Sequence, residues 1–358
     1  MARSNAYPYN SFHGIENDYY FQLENNVLKQ KGESHLMKKI LIPFVLLIVV
    51  MLSACGGNKT DQVKSPSTES SNAQASSEAS TPAAKDSDTF TYQSENGPVE
   101  VPTHPQRVVV ITRFLTGNVM ALGVPLVGVD EMSKTNPNFA EKLAGVEAVT
   151  DESLEKIIEL NPDLIIGLSD IKNIDKLKQI APTVTYTYGK VDFLTQQLEI
   201  GKLLNKEQEA QDWVKDFDAR SKKTGEEIKA KIGADTTVSV IETFNKQLYV
   251  YGYKFGRGTE ILYDQFGLGM PEKVKEATKQ DSFFAVSTEV LKDYSGDYII
   301  FSKDADENNS FQETETYKNI PAVKNQHVFE VDAKAFYFND PLSMEYQLEF
   351  FTQHFLGK

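Results

Sequence analysis

Two stretches of this 358-residue chain repeat one another without a gap. Ser153-Leu-Glu155-Lys-Ile-Ile-Glu159-Leu-Asn-Pro-Asp163-Leu-Ile165-Ile166 aligns with Ser287-Thr-Glu289-Val-Leu-Lys-Asp293-Tyr-Ser-Gly-Asp297-Tyr-Ile299-Ile300. Ser, Glu, a second acidic residue, Asp and the Ile-Ile pair coincide. Each copy predicts a short helix, a turn carrying Asn-Pro-Asp or Ser-Gly-Asp, and a buried apolar strand. Similar strands are predicted upstream, at Val108–Ile111 in the first half and Val238–Ile241 in the second. Strands that alternate with helices favour parallel sheets covered by helices. The expectation is an α/β chain of two Rossmann-like lobes with central, mainly parallel sheets.

Between the two halves, Ala210, Trp213, Val214, Phe217, Ile228 and Ile232 recur at helical spacings in a stretch rich in Glu and Lys, with Gly233 as a C-terminal stop. We therefore expect a first lobe over 89–205, a single long helix over 206–233 and a second lobe over 234–358. One stiff helix between lobes allows little hinge closure. The ligand cleft is expected between the lobes, at loops beyond the carboxyl ends of the strands.

The N-terminal part is of another kind. Lys38 and Lys39 precede an apolar run, Ile40 to Leu52, which ends in Leu52-Ser53-Ala54-Cys55. At about 13 residues the run is short for a membrane span, which needs about 20, and reads as a secretory signal over 37–54. The tetrapeptide resembles a bacterial lipobox, which implies that Cys55, the one cysteine of the chain, is diacylated after cleavage. Two or more acyl chains hold a protein stably on a membrane. Residues 1–36 have no place in such a signal, so Met37 is the expected start and the preceding stretch a mis-called extension. From Gly56 to Asp88 the chain is mostly Ser, Ala, Thr, Glu and Asp, too polar to bury a core, so 55–88 is expected to be a lipidated cysteine and a disordered tether reaching ~30 Å. Without residues 1–54 the chain keeps 32 basic and 47 acidic residues, a net charge of −15, which argues against nucleic-acid binding.

Candidate binding residues fall in predicted loops of both halves. Tyr249 and Tyr251 alternate with apolar residues, and then Phe255-Gly256-Arg257-Gly258 interrupts the pattern. An arginine between glycines and beside aromatics is expected to be exposed and able to meet a planar anionic group bidentately. Phe336-Tyr337-Phe338 precedes Asn339-Asp340-Pro341 and a final helix. Three consecutive aromatics cannot all face one core, so at least one should face solvent or a cleft. In the first half, Tyr186 and Tyr188 follow Val184, and Arg113-Phe114 follow the strand at 108–111. Together these outline an aromatic cleft with arginine in it.

Catalytic signatures are weak. His13 and His35 precede the signal, and His104, His327 and His354 lie far apart, with no H-E-x-x-H spacing. Nucleophile elbow, phosphate loop and dinucleotide fingerprint do not appear. A surface hydrolase built on an acidic pair stays open, because so many carboxylates always allow one.

From about Thr89 to Gly357 the chain resembles the lipid-anchored siderophore-binding proteins of Gram-positive ABC importers, the helical-backbone (class III) binding proteins, and within them the iron(III)-hydroxamate (ferrichrome and ferrioxamine) binders. The resemblance is carried by Val101-Pro-x-x-Pro105-x-Arg107-Val-Val, Asn161-Pro-Asp-Leu-Ile-Ile166, Ala181-Pro-Thr183, Gly256-Arg257-Gly258, Tyr317-Lys-Asn319 with Ala322-Val-Lys324, and Phe338-Asn-Asp-Pro341. It implies a siderophore site formed by Arg257, Phe255, Tyr249, Tyr337 and Tyr188, with Arg113 as a further basic group. Hydroxamate binders often carry Trp where this chain has Phe255 and Tyr337, and a first-lobe Tyr near Leu168. The resemblance further implies that Glu155 and Glu289, one per lobe, dock on the membrane permease subunits of an importer driven by its ATPase. Both also sit where helix N-termini favour acids. The molecule so implied is a monomeric, non-enzymatic binding protein, lipid-anchored on the extracellular face of a Gram-positive-type bacterium. It needs no cofactor and no protein metal ligand, since the iron arrives inside a ferric siderophore. Other cargoes in the same class are a carboxylate or catecholate siderophore, haem or cobalamin. Those ferric carboxylates and catecholates carry more negative charge and call for more basic groups.

Overall fold

The computed structural model describes residues 88–358; the signal, Cys55 and the tether lie outside the described residues. A hairpin of β1 (Thr89–Ser94) and β2 (Gly97–Pro102) leads into the first sheet. That sheet takes β3 (Val108–Val110), β4 (Leu126–Val129), β5 (Glu147–Ala148), β6 (Leu164–Leu168) and β7 (Thr183–Tyr186) in the order β5-β4-β3-β6-β7, all parallel. Its helices are α1 (Arg113–Ala121), α2 (Leu154–Glu159), α3 (Ile174–Ile180) and α4 (Phe193–Leu203).

The second sheet takes β8 (Val238–Phe244), β9 (Gln247–Tyr251), β10 (Phe283–Val286), β11 (Tyr298–Lys303) and β12 (Val328–Asp332) in the order β10-β9-β8-β11-β12. β8, β11 and β12 are parallel, as β3, β6 and β7 are, whereas β9 runs antiparallel to both its neighbours. The reversal is made at Asn245 and Lys246, which both adopt positive φ (47° and 63°), the geometry of a two-residue hairpin turn.

The sequence repeat is a structural one. Asp163 accepts hydrogen bonds from the backbone N–H of Gln106 (2.6 Å) and Arg107 (3.0 Å), just before β3. Asp297 does the same for Thr237 (2.8 Å), just before β8, and accepts from its hydroxyl (2.9 Å). In each lobe the aspartate of the Asn-Pro-Asp or Ser-Gly-Asp turn ties the entry of one central strand to the next.

Helix α5 (Glu207–Ile232) runs between the sheets and ends at Gly233, with φ 106°. It buries Ala210, Phe217, Ser221, Gly225 and Ile228 on one face, while Arg220–Asp216 and Lys222–Asp218 pairs cover the other. Gly225 is required by packing, because a Cβ there would stand 2.4 Å from the Cα of Phe266. Ala210 belongs to the first lobe's core; Phe217 and Ile228 belong to the second lobe's core, where Phe193 of α4 also packs, edge-on to Phe217 at 6.1 Å. The two lobes thus share apolar packing along this helix, which resists hinge motion.

A second junction lies at the start of α11 (Pro341–Leu356), after the short helices α6 (Glu272–Ala277), α7 (Leu291–Tyr294), α8 (Glu315–Lys318), α9 (Pro321–Lys324) and α10 (Ala333–Phe336). Asp340 caps α11, accepting from the N–H of Leu342 (3.0 Å) and Ser343 (3.2 Å) and from the Ser343 hydroxyl (2.7 Å). It presses on Gly117 of α1, where a Cβ would nearly coincide with the carboxylate. Asn138 of the first lobe donates to the Ala335 carbonyl at 3.3 Å. Burial at this junction pushes the Asp340 carboxyl up to about 6, from an ordinary value of 3.8. Between those values the folded chain binds the extra proton, so this group's contribution to stability is lost as pH rises through about 6. The contribution is about 3 kcal/mol at most. Asp340→Asn keeps the cap acceptor, and its melting temperature relative to wild type is expected to rise progressively from pH 4 to pH 7. A difference independent of pH would show that Asp340 is ionised throughout.

Candidate functional site

The second lobe presents its site residues on one face of one sheet. Glu242 of β8 lies opposite Tyr249 of β9 and Ser302 of β11, Val240 lies opposite Tyr251, and Tyr251 lies opposite Phe283 of β10. Because side chains alternate along a strand, Glu242, Tyr249, Tyr251, Phe283 and Ser302 all point to the same side. The rings form a continuous surface: Tyr249 and Phe283 are 5.9 Å apart, Phe283 and Phe255 5.2 Å, and Phe255 stacks on Tyr251 at 5.7 Å.

Arg257 sits at the centre of these rings, and here the structure corrects an expectation. Arg257 is not exposed; it is 6% accessible and paired with the fully buried Glu242. Its Nε donates to Oε2 (3.0 Å) and its Nη2 to Oε1 (2.9 Å), while Nη1 donates to the Phe255 carbonyl (3.2 Å). Glu242 also accepts from the hydroxyls of Ser302 and Tyr251. The guanidinium carbon lies 4.5 Å from the centre of the Tyr251 ring, 4.9 Å from Tyr337 and 5.5 Å from Phe255. The expected bidentate grip exists, but its carboxylate comes from the protein itself.

The loop geometry explains how Arg257 gets there. Gly256, Arg257 and Gly258 all have positive φ (68°, 56° and 85°), so the chain coils sharply and turns the arginine back over β8. A non-glycine residue in this region costs of order 1–3 kcal/mol and persists only where its surroundings hold it. The Arg257 N–H donates to the Phe336 carbonyl at 2.7 Å, and the Gly256 N–H donates to Glu260 at 3.1 Å. A Cβ on Gly256 would lie 2.2 Å from the Tyr337 carbonyl oxygen, so the loop and the Phe336-Tyr337-Phe338 segment pack backbone to backbone.

That aromatic triplet divides among three environments. Phe336 is buried in the second lobe's core, and Phe338 is buried among Met120, Val129, Phe139 and Leu143 of the first lobe. Tyr337, between them, is half-buried and donates to Asp304 at 3.3 Å. In the first lobe Tyr188 is 38% exposed and packs on Phe114 at 4.4 Å. Phe114 meets Phe338 edge-on at 6.2 Å, and Phe338 lies 6.2 Å from Tyr337. A row of rings therefore runs from Tyr188 through Phe114, Phe338 and Tyr337 to the Arg257 cluster.

Arg113 opens α1 beside Phe114, with its guanidinium 5.7 Å from that ring, and contacts Met132. Burial raises the carboxyl of nearby Asp130, and the positive charge of Arg113 opposes that rise. Glu155, in the first turn of α2, and Glu289, just before α7, are exposed. Ser153 does not cap α2; its hydroxyl instead accepts from the N–H of Thr150 at 3.1 Å. The Ser287 hydroxyl bonds Glu289 and holds that carboxyl below its usual range. Among the described residues, no group of three or more His, Cys, Asp or Glu is placed to hold a metal ion.

The residues that sequence reasoning missed are Glu242, Ser302 and Phe283; it includes Phe338 in the aromatic triplet but does not show that this ring packs in the first lobe. Glu242 had a signal: it is an acid at the end of the apolar run Val238-Ser-Val-Ile-Glu-Thr-Phe244.

Two parallel-cored sheets joined by one long helix, with a row of rings running from one to the other, define a two-lobed binding protein. A sequence profile of the periplasmic binding protein family matches residues 108–335, and the chain belongs to that family. It is 38% identical to the iron(3+)-hydroxamate-binding protein FhuD of Bacillus subtilis over 328 residues, 89% of this chain and 98% of the relative. It is 31% identical to the iron(3+)-hydroxamate-binding protein YxeB of the same organism, over 88% of this chain and 96% of that one. Among solved structures, FhuD2 from Staphylococcus aureus with bound ferrioxamine B matches with a TM-score of 0.68 at 34% identity, covering 71% of this chain and 99% of that chain. The FhuD protein from S. pseudintermedius matches with a TM-score of 0.69 at 34% identity, covering 76% and 99%.

Proposed function

We propose that this chain captures a ferric hydroxamate siderophore between its lobes and delivers it to an ABC importer for iron uptake. The observation that carries this reading is the row of rings closing around Arg257 at the junction of the two sheets. A tris-hydroxamate iron complex presents carbonyl and N-oxy oxygens on an apolar shell, and such a cargo suits aromatic walls with a few placed polar groups. Arg257, Phe255, Tyr249, Tyr337 and Tyr188 are the residues we assign to it, with Arg113 at the edge. The kinship with two iron(3+)-hydroxamate-binding proteins supports the same cargo. The chain carries out no reaction and keeps no cofactor; iron enters and leaves with the siderophore.

Cys55, in its lipobox-like setting, would anchor the protein by lipid at the outer face of the membrane, where a monomer waits beside the permease. Among the described residues no helix is long and apolar enough to cross a membrane. Glu155 and Glu289, exposed and set in corresponding copies of the repeat, are the proposed docking points, one per lobe. Replacing both by alanine is expected to leave siderophore affinity within about twofold and to cut uptake by cells at least tenfold. Loss of binding in that double variant would make the glutamates structural.

The cargo itself is tested by titrating tyrosine fluorescence with ferrioxamine B, ferrichrome, a ferric tris-catecholate and haem. Quenching by the two hydroxamates at micromolar concentration or below is expected. A response confined to haem or the catecholate would reassign the cargo.

A further inference from the structure

We propose that Glu242 is a specificity-determining residue: by cancelling the charge of Arg257 inside the site, it selects iron complexes that carry no net negative charge. The inference rests on the ferric-siderophore reading and adds to it the reason for one charge class.

An arginine at a ligand cleft ordinarily recruits anions. This one is committed by two hydrogen bonds to a carboxylate that has no solvent exposure. A buried carboxylate pairs with an arginine at a desolvation cost that apolar residues of similar volume would avoid, so the pair contributes little as a source of stability. What it does produce is a guanidinium fixed in orientation, stacked among three rings, in a pair of zero net charge. Beside the rings the acids outnumber the bases, Glu260 of the same loop being buried and bonded to the Gly256 N–H and Asn339. Asp304, the acceptor of Tyr337, faces Lys334 at 3.9 Å, and Lys334 also pairs with Asp306 at 2.6 Å. In the first lobe Arg113 faces Asp130. Each basic group at the site is thus matched by an acid.

A polyanionic ferric complex entering such a site would exchange water for surroundings that offer no compensating charge. A neutral tris-hydroxamate, or one with a pendant ammonium, meets rings and hydrogen-bond donors without that cost. Glu242 would therefore act on cargo it need not touch, through the charge of its partner.

The test is a charge series. Wild type and the double variant Glu242→Gln/Arg257→Gln keep the pair at zero, Glu242→Gln leaves it at +1, and Arg257→Gln leaves it at −1. Dissociation constants are measured for ferrichrome (neutral), ferrioxamine B (cationic) and a ferric tris-catecholate (trianionic). In Glu242→Gln the ratio of catecholate to ferrichrome affinity is expected to rise at least tenfold over wild type, and the ratio of ferrioxamine B to ferrichrome to fall severalfold. The double variant, which leaves no charge unpaired and is the one most able to fold, should weaken all three complexes and keep the wild-type ratios. Ratios unmoved in Glu242→Gln, or a double variant that shifts toward the catecholate, would overturn the proposal and leave Glu242 a structural counter-ion. Failure of wild type to bind either hydroxamate would instead refute the function on which the inference stands.

Discussion

Arg257→Ala is expected to lower the stability of the folded chain by roughly 3–5 kcal/mol, besides abolishing tight binding. The reason lies in Glu242, which is fully buried and would keep only the hydroxyls of Ser302 and Tyr251 as partners. An uncompensated buried carboxylate is far more costly than the absence of the whole pair. Adding Glu242→Gln should restore most of the stability, since no charge is then left unpaired, without restoring the guanidinium that the cargo needs. Urea unfolding at pH 7 compares wild type with the single and double variants. A single variant within about 1 kcal/mol of wild type at pH 7 would mean that Glu242 finds water or another partner on its own.

Phe338→Ala is the second large effect, expected at roughly 3–5 kcal/mol, the usual cost of emptying a buried phenylalanine site. Its ring is 3% accessible and lies among Met120, Val129, Phe139 and Leu143, although its backbone belongs to the segment leaving the second sheet. It stacks on Phe139 at 6.3 Å and meets Phe114 edge-on. The truncation therefore opens a cavity at the junction of the lobes rather than inside either one. Tyr337, its neighbour in sequence, lies against the guanidinium of Arg257, so the loosening should reach the site and weaken siderophore binding about tenfold or more. Phe338→Leu, which refills much of the volume, should recover most of both losses. Loss of stability below about 1 kcal/mol in Phe338→Ala would show that the lobes do not depend on this contact.

Much of the architecture was legible because its signals are local. The repeated helix-turn-strand unit pairs β6 with β11, and the shared aspartates, Asp163 and Asp297, make the same backbone bonds in both lobes. The long helix was legible from apolar spacings and from Gly233, whose positive φ ends it. The reversal of β9 was not, because Asn245-Lys246 lacks the glycine that usually marks a tight hairpin turn. At the site, the clustering of Tyr249, Phe255, Arg257 and Tyr337 could be expected from glycines and aromatics in adjacent loops. The burial of Arg257 could not. It depends on a pairing with Glu242 across a strand and a left-handed loop, and no periodicity reports an ion pair closed by that route. Phe338 is a similar case: three consecutive aromatics announce that their environments differ, but only the packed lobes decide that the third belongs to the other one.

A ferric hydroxamate seated against the rings where the two lobes meet would shield backbone amides on both sides of the junction. Hydrogen–deuterium exchange of the protein with and without ferrioxamine B reports binding and place together. Protection is expected in three separated segments, 186–188 of the first lobe and 252–259 and 336–338 of the second, with the iron-free siderophore giving much less. Protection confined to one lobe, or an unchanged pattern at saturating ferrioxamine B, would refute a seat between the lobes.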